Sequence, residues 1–143
     1  VRLKQYLEMR GADGGPWSRI CALPALWAGV LYDAPSLAAA WDLVKDWDVE
    51  DHERLRRDVT RLGLKAEVAG RTVQDVAKDM VHIAREGLKN RARFSGGMVD
   101  ERGYLSELED IAESGVTPAE RLLELYHGDW QGDVERVYRD FAY

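Results

Sequence analysis

The stretch VRLKQYLEMRGADGGPW, residues 1–17, carries the two local signals that decide the predicted fold. Apolar and polar residues largely alternate over residues 1–10, and a period of two is typical of a β-strand with one buried and one polar side. Residues 11–17 contain three glycines and a proline, which indicates a tightly shaped loop. Because a lone strand lacks partners for its backbone hydrogen bonds, we expect strand 1–10 to complete a sheet supplied by another part of a larger protein.

Everything after this loop is predicted to be helical. Residues 17–32 are apolar nearly all round, which is typical of a buried helix, and Pro24 should kink that helix or start a new segment. Apolar spacing and capping residues predict further helices at 35–47, 49–62, 73–90, 104–114, 117–128 and from Asp133 onward, with a loop at 94–103. The predicted fold class is therefore mainly α, with one N-terminal strand followed by about seven helical segments.

Composition excludes several classes of protein. A length of 143 residues fits one domain or a piece of one, and a net charge of −6 argues against a general nucleic-acid binder. The longest apolar stretch, 20–32, is too short for a membrane span. The single cysteine, Cys21, cannot form an intramolecular disulfide, so a cytoplasmic location is expected. Since the chain starts at Val1, directly inside the predicted strand, we expect an N-terminal part of a larger protein to be missing.

Two charged residues on the polar side of the predicted strand are the candidate site. Glu8 and Arg10 are two positions apart and therefore project on the same side. A carboxylate can hold Mg²⁺ through oxygen, and a guanidinium can bind phosphate oxygens in a bidentate fork. The glycine-rich loop that follows, with Asp13, would shape such a site. A surface strand carries charges of this kind too, so an ordinary solvent-facing side remains the alternative interpretation.

The chain resembles the glutamate–cysteine ligases of plants and many proteobacteria. The matching segments are YLEMRGADGGPW (6–17), CALPALWAGVLYD (21–33), DLVKDW (42–47), GLKA (63–66), GVTPAERLLELYHGDW (115–130) and the terminal FAY. The resemblance covers essentially the whole chain but only the C-terminal part of such an enzyme. Two departures stand out: Ser18 replaces an arginine that is common in relatives, and residues 89–103 match poorly.

The resemblance implies a ligase that uses ATP and Mg²⁺ to join the γ-carboxylate of L-glutamate to the amine of L-cysteine through an acyl phosphate, the first step of glutathione biosynthesis. Residues 1–143 would be the C-terminal part of a catalytic domain similar to glutamine synthetase. Strand 1–10 would complete the active-site sheet, and 17–143 would form a helical layer. That superfamily carries a Glu-x-Arg pair on a late strand. The pair implies Glu8 as a metal ligand and Arg10 as a catalytic residue that contacts phosphate.

The further partner implied is the N-terminal remainder of the enzyme, and neither nucleic acid nor membrane is expected as a partner. Cys21 corresponds to a cysteine of plant relatives, some of which are controlled by disulfides, but it has no partner cysteine in this chain. Two alternatives remain open. One is a sister carboxylate–amine ligase with another amine substrate, and the other is a free-standing, non-catalytic helical module that binds a partner protein. By itself the chain is expected to be inactive as a ligase.

Overall fold

The computed structural model describes residues 2–3, 5–8, 11–12, 14–92 and 101–142. Within these ranges the chain forms seven α-helices and two short hairpins, so the prediction of a mainly α chain is confirmed. The strands are β1 (Arg2–Leu3), β2 (Leu7–Glu8), β3 (Glu67–Val68) and β4 (Arg71–Thr72). The helices are α1 (Trp17–Leu31), α2 (Ala34–Val44), α3 (Val49–Leu62), α4 (Val73–Arg91), α5 (Ser106–Ser114), α6 (Pro118–His127) and α7 (Arg136–Asp140), with 3₁₀ turns at Gly63–Lys65 and Glu101–Leu105.

The prediction of one continuous strand over 1–10 is wrong. The segment bends at Gln5 and Tyr6, and β1 pairs with β2 as an antiparallel hairpin in which Arg2 lies opposite Glu8. The physical reason is backbone pairing: a hairpin provides hydrogen-bond partners within the segment itself when no neighbouring strand is present. Val1, Lys4, Met9 and Arg10 lie outside the described residues.

A second hairpin, β3–β4, was not predicted. Its two turn residues, Ala69 and Gly70, both have positive φ, at 49° and 76°, as a two-residue hairpin turn of type I′ requires. Val68 is buried beneath this turn. The sequence signal was weak because alanine, unlike asparagine or aspartate, seldom takes the first position of such a turn.

The core forms where α1 crosses α4. Small residues allow the two helices to approach closely: a Cβ atom built on Gly29 would overlap the carbonyl oxygen of Ala84, and one on Gly87 would overlap the carbonyl oxygen of Gly29. The buried cluster around this crossing draws on α1, α2, α4 and the 3₁₀ turn before α5, and comprises Ala25, Val30, Ala40, Ala84, Leu88 and Leu105. The helical layer is thus centred on α4.

The prediction that α1 is buried all round is wrong. Its small residues face the core, but Trp17 is 75% exposed and Ile20 is 51% exposed. Trp41 of α2 is 64% exposed, whereas Trp130 is buried. No residue of α3 is fully buried. Helix α1 runs unbroken through Pro24, so no new segment starts at that proline.

Helix starts follow the predicted caps closely. Within the described ranges, complete capping boxes occur at Asp48 with Asp51, Thr72 with Asp75, and Thr117 with Glu120. Asp133 is the exception. Its carboxylate accepts a hydrogen bond from the backbone N–H of Glu135 at 3.0 Å, and α7 starts only at Arg136. Most of the predicted loop 94–103 lies outside the described residues, which omit 93–100.

The Thr117–Glu120 box should make stability depend on pH. The backbone N–H of Thr117 (2.8 Å), then the Lys65 ammonium (2.9 Å) and the Thr117 hydroxyl (2.9 Å), lower the pKa of Glu120 to about 2. Since the folded-state pKa lies below the ordinary value of 4.5, this stabilisation is present above pH 4.5 and is lost as the pH falls toward 2. We expect Glu120→Gln to reduce the pH dependence of the unfolding free energy in that window.

Urea unfolding of the chain at a series of pH values measures this effect. Glu124→Gln, an exposed change on the same helix, is the matched control and should retain the wild-type pH dependence. An unchanged slope for Glu120→Gln between pH 4.5 and 2 would contradict the assignment.

Among the described residues, no single helix is both long and apolar enough to cross a membrane. Helices α1 and α2 reach that length and composition only as a pair, and they are bent by 95° at the break between them.

Candidate functional site

The candidate site begins at the end of the first hairpin. Glu8 is the last residue of β2 and is half-buried. Its predicted partner, Arg10, and Asp13 of the following loop lie outside the described residues. The Glu8–Arg10 pair therefore stays a prediction, and the structure positions only its carboxylate member, on a strand that precedes the glycine-rich loop in the sequence.

That loop ends against the first turn of α1. Gly11, Ala12 and Gly14 are exposed, whereas Gly15 is buried. A Cβ atom on Gly15 would lie 2.9 Å from Cδ of Arg19, so the aliphatic part of Arg19 covers this glycine. The carbonyl of the next residue, Pro16, accepts hydrogen bonds from the backbone N–H groups of Arg19 and Ile20, at 2.9 and 3.1 Å. The loop thus ends with Gly15 beneath the Arg19 side chain, which would have to shift to admit a Cβ atom at that position.

A carboxylate from α5 reaches the same turn. Glu107 accepts hydrogen bonds from the hydroxyl of Ser18 and from Nε of Arg19. The hydrogen bond from Ser18 lowers the pKa of Glu107 most, burial opposes it, and Arg19 lowers it further. Glu107 was not predicted from the sequence, because it lies about ninety positions away along the chain and nothing local links it to this turn.

The basic residues at the end of α4 do not form an anion site. Arg85 pairs with Glu109 at 2.7 Å, Lys89 with Glu86 at 3.1 Å, and Arg91 with Glu101 at 3.8 Å. A cation that is matched by a carboxylate has less charge to offer a ligand. Arg85 and Arg91 thereby connect α4 to α5 and to the 3₁₀ turn at Glu101–Leu105.

Metal ligation can be examined only on the described part of the chain. There, no group of three or more His, Cys, Asp or Glu side chains could hold a metal ion by itself. Mg²⁺ is usually bound through one or two carboxylates together with phosphate oxygens and waters. One half-buried carboxylate at a strand end, Glu8, fits that donor set as a single ligand, and the other ligands would come from phosphate or from elsewhere in a larger protein.

Comparison with known proteins gives one consistent result. The family model described as glutamate-cysteine ligase family 2 (GCS2) matches residues 1–140. The chain is 49% identical over all 143 residues to "Glutamate--cysteine ligase, chloroplastic" of Nicotiana tabacum and 46% identical to the protein of that name in Arabidopsis thaliana, and covers 26% of each. It is 48% identical to "Glutamate--cysteine ligase A, chloroplastic" of Oryza sativa subsp. indica, of which it covers 28%. The chain thus spans about a quarter of the length of the curated relatives it matches.

Proposed function

Because the chain belongs to glutamate-cysteine ligase family 2, we propose that it is the C-terminal part of an ATP- and Mg²⁺-dependent ligase that joins the γ-carboxylate of L-glutamate to the amine of L-cysteine. The observation that carries this proposal is the match along the whole chain to proteins named for that activity. The product, γ-glutamylcysteine, is the precursor of glutathione. A reducing compartment such as the cytoplasm suits the single cysteine of the sequence, Cys21, which is a free thiol.

The surface of the helical layer supports a role as one part of a larger enzyme. Trp17, Tyr32 and Trp41 of the α1–α2 region are each more than 60% exposed, and Ile20 and Leu37 are about half exposed. Large apolar side chains that remain exposed are suited to an interaction site. We propose that this surface packs against the N-terminal remainder of the ligase, within a catalytic domain similar to glutamine synthetase.

In this proposal the residues at the first hairpin serve phosphoryl transfer. A carboxylate oxygen of glutamate attacks the γ-phosphorus of ATP, ADP leaves, and the cysteine amine then displaces phosphate from the acyl phosphate. Such transfer depends mainly on positioning and on neutralising charge. Glu8 would hold Mg²⁺, which supplies that charge neutralisation when it is bound. Arg10 would bind the oxygens of the transferred phosphoryl group in its planar fork.

The test is ADP formation by the complete polypeptide that contains this chain. We expect ADP release that requires both glutamate and cysteine, and we expect the 143-residue chain alone to release none, because the described residues supply a single candidate metal carboxylate. Ligation of another amine in preference to cysteine would support the sister ligase instead. A complete polypeptide that is folded but releases no ADP with any amine would refute the proposal and favour the non-catalytic module.

A further inference from the structure

We propose that Glu107 is a positioning residue for the active site: through Ser18 and Arg19 it fixes the end of the glycine-rich loop, and thereby the strand end that carries Glu8. The catalytic part of this inference rests on the function proposed above, whereas the fixing of the loop rests only on the contacts of Glu107.

Both oxygens of the Glu107 carboxylate are engaged by the same helical turn. One oxygen accepts from Nε of Arg19 and the other from the hydroxyl of Ser18. The side chains of Arg19 and Glu107 are 36% and 23% exposed, so the ion pair is partly shielded from water. The carboxylate also lies at the N-terminus of α1, where the helix dipole favours negative charge. Charge, geometry and partial burial therefore all hold Glu107 against this turn.

Arg19 links Glu107 to the end of the glycine-rich loop. Its guanidinium is held by Glu107, while its aliphatic carbons occupy the space beside the buried Gly15 that a Cβ atom would need. Its backbone N–H bonds to the carbonyl of Pro16. If Glu107 released the guanidinium, the Arg19 side chain would be free to change rotamer, and Gly15 would lose the surface on which it packs.

Helix α5, which carries Glu107, is fixed to the core and to α4 by several contacts. Leu105, just before it, and Ala112, within it, are both buried in the core. The side-chain amide of Gln74 on α4 donates to the carbonyl of Ala112 at 2.8 Å. Glu109, two positions after Glu107, is paired with Arg85 of α4. Glu107 is thus attached through α5 to the central helix of the layer rather than to a mobile surface element.

Only six residues, 9–14, separate Glu8 from Gly15 in the sequence, so a change at Glu107 should be measurable in the chemistry. Glu107→Gln keeps the size of the side chain but removes the charge and leaves one acceptor oxygen for two donors. Since small displacements of reacting groups cost large factors in rate, we expect kcat to fall about tenfold and the Mg²⁺ concentration for half-maximal rate to rise, with KM for cysteine little changed. Asp110→Asn, an exposed change on the same helix, is the matched control.

The experiment combines hydrogen exchange with kinetics on the complete polypeptide and its two variants, with melting curves as the folding control. We expect Glu107→Gln, but not Asp110→Asn, to speed amide exchange over residues 14–20 and to change kcat and the Mg²⁺ dependence. Arg19→Met keeps the aliphatic cover and the Ser18 contact but removes the ion pair, so Glu107→Gln should lower kcat less in the Arg19→Met variant than in the wild type.

Equal exchange over residues 14–20 in the Glu107 and Asp110 variants would overturn the inference whether or not the protein is a ligase. Faster exchange with unchanged kcat and Mg²⁺ dependence in an active enzyme would overturn the catalytic part. If the wild-type polypeptide forms no γ-glutamylcysteine, the proposed function fails, and the exchange comparison still decides whether Glu107 fixes the loop.

Discussion

Replacing Glu8 by glutamine in the complete polypeptide is expected to lower the ligation rate by about 10²–10³-fold, the loss typical when one preorganised charge stabiliser is removed. Glutamine preserves the shape of the side chain but removes the charge that would bind Mg²⁺. The half-buried position of Glu8 at the end of β2 increases this expected effect, because a partly shielded carboxylate interacts with a cation more strongly than an exposed one. The measurement is steady-state ligation as a function of Mg²⁺ concentration.

Arg10→Lys provides the companion test. Lysine keeps the positive charge but loses the planar fork that binds two phosphate oxygens at once, so a loss of similar size is expected. Glu67→Gln is the control: Glu67 is an exposed strand carboxylate in the second hairpin, and its replacement should leave turnover unchanged. If both the Glu8 and the Arg10 variants turn over at close to the wild-type rate, the site assignment is wrong and the polar side of this segment is an ordinary surface.

The second large effect is expected on stability, at the crossing of α1 and α4. Glycine inside a helix normally costs stability relative to alanine, so Gly→Ala would ordinarily be favourable. At Gly29 and Gly87 the added methyl group would instead overlap backbone atoms of the facing helix, and at Gly87 it would also lie 2.8 Å from the hydroxyl oxygen of Ser36. Backbone cannot move aside as a side chain can, so each change should cost about 3 kcal/mol, the upper part of the usual range for overpacking.

Urea unfolding of the chain, followed by its helical circular dichroism signal, measures this cost. Gly103→Ala is the matched control, because a Cβ atom on Gly103 meets no atom within 4 Å and the residue has no left-handed backbone. We expect Gly103→Ala to change the free energy of unfolding by less than about 0.5 kcal/mol. A Gly29→Ala variant as stable as wild type would show that α1 and α4 do not approach as closely as described.

Helix caps and helix boundaries, which depend on residues close together in the chain, were predictable from the sequence. Thr72 with Asp75 and Thr117 with Glu120 form the expected capping boxes, because a cap and its partner lie three positions apart and need no tertiary information. The boundaries of α3 follow the prediction for the same reason, since Asp48 begins this helix and Gly63, with a φ of 55°, ends it.

Features set by distant partners were not predictable. Alternation over residues 1–10 indicated extended backbone, which the structure shows at Arg2–Leu3 and Leu7–Glu8, but it could not say whether the partner was another strand or the segment itself. The apolar character of α1 did not show which of its sides is covered, and the small residues, not the tryptophans, face α4. The contact of Glu107 with Ser18 and Arg19 joins segments about ninety positions apart, and neither segment carries a local signal for the other.

The most direct test of the central claim follows the oxygen of the glutamate γ-carboxylate. The complete polypeptide is supplied with ATP, cysteine and glutamate labelled with ¹⁸O in that carboxylate, and the released phosphate is analysed by mass. If the enzyme activates glutamate as an acyl phosphate, the attacking oxygen leaves with the phosphoryl group, and each phosphate carries one ¹⁸O atom. Formation of γ-glutamylcysteine with unlabelled phosphate would contradict the account.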